Sequence, residues 1–384
     1  MDAPKDLVSQ IIWRDRDVRI LIYAGLLSGR GGTENVILQM ANALQRRGHE
    51  MLFLTSVRAE DWSWTNDLPH AMFASDLVPN KRSAIEEEPP FFSVLLNTQV
   101  ALQMLPKPDV ILSIYAGDNA IVAASRCLYQ EPPVLLSWMH NSLHVAADRF
   151  ALRYADGHLA ISTGIKRQFS ALDPSKPVRV VYNPIHQVEI TPLESLYDQN
   201  VVQFVYLGRF DMVQKRLDVM FQGFAALRGL PWHLVMMGQP FGQYDQSQVD
   251  QFLKQSGISD QVEWCGWQED PWKYITKRSV LVLTSDFEGF PMVILEALAR
   301  GHLVIASRCD TGPEDMLRNG VNGWLFTPGS IQEFTQCVRD ILDRMVDIPS
   351  IEACQRSVVP FHEEQITDRF IESITSLVEE HRLR

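Results

Sequence analysis

Along this chain, short apolar runs alternate with longer segments in which apolar residues return every three or four positions. VRILIYAGL (18–26) is an apolar run of strand type, and a glycine-rich turn, SGRGG, follows it. In TENVILQMANALQRRG the apolar residues Val36, Ile37, Met40, Ala41 and Leu44 repeat with a helical period. HEMLFLTS (49–56), DVILSIYA (109–116), PVLLSWMH (133–140), HLAIS (158–162) and VRVVYN (178–183) read as further strands. Strands alternating with helices predict a parallel sheet covered on both faces. The pattern then restarts. VQFVYLGRF (202–210) is a strand and tight turn, VMFQGFAAL is helical, and WHLVMMG (232–238) is a strand. The helix around VDQFLKQSG and the strands VEWCGW, SVLVLTS and HLVIAS complete the second set. Between the sets lies the polar stretch TPLESLYDQN (191–200), where a domain boundary is expected. The expected organisation is therefore α/β throughout, with one domain over 1–190, a second over 191–359, and an amphipathic helical segment over 360–384. Residues 60–100 show no readable period.

The length of 384 residues suits two domains of ordinary size, and 46% apolar residues suffice for large cores. No run of 18 apolar residues predicts a transmembrane helix, and the first residues lack the apolar core of a signal peptide. Five scattered cysteines, without CxxC or histidine partners at metal spacing, suggest the reducing cytosol and no zinc site. A net charge of −12 argues against nucleic acid as a partner. The acidity is uneven. Residues 1–190 carry 18 Lys+Arg against 20 Asp+Glu, a balance of −2, and the remainder carry 17 against 27, or −10. The first half can therefore approach an anionic membrane face more readily than the second. Arg14, Arg16, Arg19, Arg46, Arg47 and the pair Phe91-Phe92 offer such contact; an ordinary solvated surface is an equal reading.

Four stretches carry candidate chemistry. In SGRGGTEN (28–35), Gly31 and Gly32 precede a helix, so they either bring backbone amides to an anion or only make the turn. The spacing is not GxGxxG and no acidic residue ends the second strand, which disfavours a dehydrogenase-type dinucleotide site. In YLGRF…QKR (206–216), a strand ends at Gly208-Arg209 and Lys215 follows. Ligands of open α/β sheets bind beyond such strand ends, and these two cations suit a diphosphate. In SDFEGFPMVILEALARG (285–301), Glu288 lies in a loop, Pro291 suits a first helical position, and the amides near Gly289, Phe290, Pro291, Met292 and Val293 surround a helix N-terminus. Glu296 shares a face with Met292 and can accept from two vicinal hydroxyls, or simply face water. In SWMHNS (137–142), His140 directly follows a strand. DTGPEDML (310–317) reads as a structural turn and helix. Gly-x-Ser-x-Gly, Walker A and HExxH motifs are absent, so hydrolase, P-loop and zincin chemistry lack support.

The order of these elements is more specific than any one of them. The Gly-Gly loop, RRGHE before the second strand, His140, Asn183-Pro184, Gly208-Arg209 with Lys215, and Glu288-x7-Glu296 fall in sequence over most of the chain. This order resembles glycosyltransferase family 4, retaining enzymes of GT-B fold that use sugar nucleotides. LAISTGIKRQF (159–169), GWQEDPW (266–272) and LTSDFEGFPMVILEAL (283–298) are similar to family members that add galactose to the lipopolysaccharide core.

The resemblance implies two Rossmann-like domains facing each other across a cleft, the first for the acceptor and the second for the donor. It implies that Arg209 and Lys215 bind the donor diphosphate, Glu296 the ribose and Glu288 the donor sugar. Amides of Gly289 and Phe290 would assist, Gly32 would approach the phosphates from the opposite domain, and His140 would face the sugar. Asn183, Gly266 and Trp267 would lie near the donor or its base. Pro291 departs from the glycine of many relatives. No metal-binding Asp-x-Asp pair is found among these motifs, so the expected donor site needs no metal or cofactor besides the sugar nucleotide, best matched by UDP-galactose. Glu288 would hold the sugar rather than attack it. The expected acceptor is a lipid-linked core oligosaccharide at the cytoplasmic face of the inner membrane. Capsule or exopolysaccharide synthesis from UDP-glucose, and sugar-nucleotide epimerisation, are the alternatives.

Overall fold

A computed structural model describes residues 18–25, 27, 31–56, 63–68, 70–77, 91–185, 188, 196–197, 201–242 and 244–383. Arg14, Arg16 and most of the SGRGG turn lie outside them. The chain forms two compact units, residues 1–184 with 363–384, and residues 185–362.

The first unit is built on a seven-stranded parallel sheet. Its strands are β1 (Arg19–Ala24), β2 (Glu50–Thr55), β3 (Ala71–Phe73), β4 (Val110–Ser113), β5 (Val134–Met139), β6 (Gly157–Ala160) and β7 (Val178–Val180). Their order is β3-β2-β1-β4-β5-β6-β7, and every pairing is parallel. The connecting helices are α1 (Gly32–Arg46), α2 (Ala74–Leu77), α3 (Phe91–Met104), α4 (Asp118–Arg126) and α5 (Thr163–Leu172). Strands β1, β4 and β5 are nearly all apolar and buried, as strands covered on both faces must be. Leu21, Tyr23, Leu52, Leu54, Ile111 and Leu135 form one core with Ala101, Leu102, Ile121 and Val122 of the helices.

The second unit carries a six-stranded parallel sheet. Its strands are β8 (Val202–Leu207), β9 (Trp232–Met237), β10 (Val262–Trp264), β11 (Val280–Leu283), β12 (Leu303–Ser307) and β13 (Trp324–Phe326), in the order β10-β9-β8-β11-β12-β13. Helices α6 (Leu217–Ala225), α7 (Gln246–Ser256), α8 (Pro271–Tyr274), α9 (Met292–Ala299), α10 (Pro313–Met316), α11 (Ile331–Leu342) and α12 (Ile351–Ser357) connect them. Aromatic rings fill one side of this sheet, with Phe224 against Phe204, Trp232 and Phe334 at 5.2, 4.7 and 5.5 Å.

The last helix, α13 (Glu363–Arg382), belongs to the first unit. Ile366, Phe370, Ile374 and Leu377 are buried at helical spacing, and Phe370 packs on Trp138 at 5.0 Å. Ion pairs Arg46–Glu363, Arg47–Asp368 and Arg179–Glu380 flank that seam. Residues just after Pro184 go with the second unit, where the Ile185 amide donates to the Phe361 carbonyl at 2.8 Å.

The structure adds elements that the hydropathy pattern did not show. Strands β3 and β13 have three residues each and are not read from it, although β7 and β10, equally short, are. Helix α3 lies in the unreadable stretch because its sequence, FFSVLLNTQVALQM, is apolar almost all round. Pro291 is the residue before α9, with ψ of 91°, rather than its first helical residue. Among the described residues no helix is long and apolar enough to cross a membrane.

Candidate active site

In each sheet the strand order reverses once, between β1 and β4 and between β8 and β11. Loops leaving neighbouring strands at such a point part to opposite faces and open a crevice beyond the strand ends. In the second unit the residues after β8 and β11 line that crevice.

The loop after β8 is knitted to its neighbours through backbone. The Gly208 amide donates to Met237 at 3.0 Å, and the Gly238 amide to Gly266 at 2.9 Å. A Cβ on Gly238 would stand 1.8 Å from the Gly208 carbonyl oxygen, so only glycine allows this approach. The guanidinium of Arg209 lies 3.8 Å from the Phe241 ring centre and donates to Gln214 at 3.0 Å. Gln214 in turn donates to the Phe287 carbonyl at 3.2 Å, tying the two loops together. Buried Tyr206 donates to the Arg209 carbonyl at 2.5 Å; burial, then the neighbouring Glu288 carboxylate, pushes its hydroxyl well above the usual range.

Lys215 and Glu288 meet where the loops converge. Lys215 Nζ and Glu288 Oε1 are 2.8 Å apart, and Ser285 donates to the same oxygen at 2.6 Å. Both side chains are largely buried, at 14% and 7% exposure. A pair so placed is stable only with further hydrogen bonds, which Ser285 supplies here. The backbone is held as well. Thr284 donates to the Lys215 carbonyl at 2.7 Å, and the Thr311 hydroxyl donates to the Glu288 carbonyl. Gly312, at φ of 100°, lies against the loop so closely that a Cβ would sit 2.5 Å from Pro291 Cδ.

The DTGPEDML turn thus buttresses the Glu288–Pro291 loop, a role its reading as a plain structural turn missed. The signal for it was a glycine just before a proline-started helix. Helix α9 begins after that loop with no side-chain cap. Its first intrahelical bond is the Ile294 amide to the Pro291 carbonyl at 3.0 Å, and a helix N-terminus leaves earlier amides, here Met292 and Val293, for other acceptors. Glu296 is half-buried and its Oε2 accepts from Trp272 Nε1 at 2.9 Å. Gly266 has φ of 67° and Trp267 after it is 61% exposed.

The remaining predicted residues lie in the first unit. Gly31 precedes α1 in extended conformation without a side-chain cap, and a Cβ on Gly32 would meet open space. His140 follows β5 and is only 8% exposed, its ring 4.5 Å from Trp138. Neither of its nitrogens has a hydrogen-bond partner, and burial lowers its pKa to about 3, so the ring is neutral. Asn183 is 4% exposed, and its Oδ1 also lacks a partner. The structure therefore groups Gly208, Arg209, Lys215, Gly266, Glu288 to Val293 and Glu296 in one unit, and Gly31, Gly32, His140 and Asn183 in the other.

At the β1/β4 reversal the structure shows an acid that sequence reasoning missed. Asp118 Oδ2 accepts the amides of Gly25 at 3.0 Å and Tyr115 at 3.3 Å. Burial raises its pKa to about 7 against the pull of those two bonds. An aspartate opening a helix directly after a strand and a glycine was the available signal.

The family described as Glycosyltransferase Family 4 matches residues 30–187, and that described as Glycosyl transferases group 1 matches residues 202–344. The lipopolysaccharide 1,6-galactosyltransferase of Salmonella typhimurium is 33% identical, over 83% of this chain and 88% of its own length. The chain belongs to glycosyltransferase family 4. A second lipopolysaccharide 1,6-galactosyltransferase, from Escherichia coli, is 27% identical to this glycosyltransferase over 94% of the chain and 99% of its own. The solved apo form of a lipopolysaccharide outer core galactosyltransferase aligns with a TM-score of 0.80 and 27% identity, covering 94% and 99% of the two chains. Anabaena HepE in complex with UDP shares the fold, with a TM-score of 0.75, 17% identity and coverage of 94% and 100%. The two parallel-sheet units are the Rossmann-like domains of a GT-B glycosyltransferase.

Proposed function

We propose that this glycosyltransferase transfers a hexose with retention of configuration, galactose from UDP-galactose, to a lipopolysaccharide core oligosaccharide. The observation that carries the reading is the Lys215–Glu288 pair at the β8/β11 reversal, beside Arg209 and the uncapped start of α9. Similarity to galactosyltransferases of the lipopolysaccharide core supports the donor and acceptor.

The transferred sugar passes through an oxocarbenium-like state while negative charge gathers on the departing diphosphate. Fixed charges and dipoles aimed at that developing charge lower the barrier. Arg209, Lys215 and the amides of Met292 and Val293 are the groups for it, and the helix dipole of α9 adds to them. Glu296 takes the ribose hydroxyls. Glu288 Oε1 is engaged by Lys215 and Ser285, which leaves its other oxygen for the sugar. A carboxylate so engaged is a poor nucleophile, and we place the acceptor hydroxyl on the same face as the leaving group. The bond from acceptor oxygen to anomeric carbon forms as the bond to phosphate breaks. The electron pair leaves with the diphosphate, and the acceptor proton passes to a phosphate oxygen. Neutral His140 offers an N–H to the donor sugar, and Asn183 and the Gly31-Gly32 amides assist from the first unit. The unpartnered nitrogens of His140 and Oδ1 of Asn183 support their assignment, because buried polar atoms without partners are uncommon. We place the enzyme at the cytoplasmic membrane face.

A donor screen with a truncated core acceptor, read by nucleotide release and followed by linkage analysis of the product, tests the proposal. Release of UDP from UDP-galactose with an α-linked product supports it. Turnover without acceptor would favour epimerisation, and a trapped glycosyl ester on Glu288 would overturn the same-face mechanism.

A further inference from the structure

Glu296 is not left free on its helix. Its Oε2 accepts the indole N–H of Trp272 at 2.9 Å, across 24 residues of sequence. That indole belongs to α8, a single helical turn, and would not be rigid by itself. Two groups following α9 fix it. The His302 ring stacks on it at 5.5 Å with 21° between planes, and the Arg300 guanidinium lies 4.8 Å from its centre. His302 is itself held, its Nδ1 accepting the Ser279 amide at 3.1 Å. Burial, followed by the charges of Arg300 and Arg278, lowers its pKa to about 3, so it stays neutral with its proton on Nε2. Arg300 also donates to the Glu296 carbonyl at 3.0 Å. The carboxylate thus ends a chain of contacts from Ser279 through His302 and Trp272.

We propose that Trp272 is a positioning residue for nucleotide recognition: its N–H occupies Glu296 Oε2 and orients the carboxylate so that it receives a vicinal diol. This rests on the reading of Glu296 as the ribose acceptor. A glutamate has three side-chain torsions to order on binding, and holding them beforehand removes that entropy cost from the ligand. Without the N–H the carboxylate must be ordered by the diol itself.

The test compares UDP with 2′,3′-dideoxy-UDP by titration calorimetry. Three proteins serve: wild type, Trp272→Phe, and a form with benzothienylalanine at position 272, which replaces only the N–H by sulfur. Both variants keep a ring for His302 to stack on. The expected result is UDP binding weakened roughly five- to tenfold in both, with dideoxy-UDP binding unchanged. In turnover the donor KM rises while kcat holds. Equal weakening of both nucleotides, or no weakening of either, overturns the inference and makes Trp272 a packing residue. Glu296→Ala is the separate control for the parent reading. If it leaves the preference for UDP over dideoxy-UDP intact, or if wild type shows no such preference, the ribose assignment itself fails.

Discussion

The two strand-order reversals have the same topology and opposite electrostatics. At β8/β11 the loops bring a lysine and a glutamate into a buried pair, fix it with Ser285, and set Arg209 beside it. At β1/β4 a buried aspartate, with no cation in contact among the described residues, takes two backbone amides and is driven toward neutrality. One crevice displays charge; the other hides it. Topology therefore supplies the place for a ligand, and side chains decide whether that place suits an anion.

The sharpest way to break this comparison is to discharge each crevice in turn. Glu288→Gln should lower kcat by about a hundred- to a thousandfold, because both the proposed sugar contact and the placement of Lys215 are disturbed. Asp118→Asn, which keeps an acceptor for a backbone amide, should cost about tenfold or less. Equal losses would mean that both crevices do the same work.

Lys215→Met separates function from stability. It leaves Glu288 with an uncompensated buried charge, and losing one member of a buried pair typically costs about 3–5 kcal/mol. Thermal unfolding should show the loss, and adding Glu288→Leu should restore the melting temperature while activity stays absent.

Gly312→Ala probes the buttress. A side chain at φ of 100° is strained and its Cβ would press on Pro291, so a loss of about 1–3 kcal/mol and a raised donor KM are expected. A silent variant would show that the loop does not depend on this contact.

The smallest effect is in pH dependence. His140, His158 and His302 are buried with pKa values lowered to about 3, 4 and 3. Each takes up a proton on unfolding between its folded value and about 6.5, so stability falls as pH drops through that window, by about 1.4 kcal/mol per pH unit per proton. Asp118 acts oppositely. With a folded pKa raised to about 7, it releases a proton on unfolding between about 4 and 7, so its contribution falls as pH rises. Asp118→Asn should therefore steepen the loss of melting temperature between pH 6.5 and 4.5. An unchanged slope would mean that Asp118 is ionised in the folded chain.

Much of the fold was legible because parallel strands buried on both faces are continuous apolar runs, and runs such as Leu281–Leu283 leave little choice. What escaped were the edge strands β3 and β13 and helix α3, whose apolar surface carries no period. The candidate site was legible in its charged members, since Arg209, Lys215, Glu288 and Glu296 stand out against apolar neighbours. Ser285, Thr311, Trp272 and Asp118 did not stand out. Thr311, Trp272 and Asp118 act through contacts separated by as much as 93 residues, as between Gly25 and Asp118, which no local pattern encodes, while Ser285 lies three residues from Glu288 but is a common loop residue whose bond leaves no mark in the sequence.

The position of α13 bears on how the protein is made. A ribosome releases residues 1–184 long before the helix that completes their unit, while residues 185–362 emerge as an uninterrupted piece. The second unit can finish folding during synthesis, whereas the first must wait for Glu363–Arg382, against the usual N-to-C order. Until Phe370 arrives, one face of Trp138 stays uncovered, and Trp138 is the ring on which His140 rests. A nascent chain, or one ended before α13, would thus hold a finished second unit and an unfinished first one, making α13 a checkpoint of assembly.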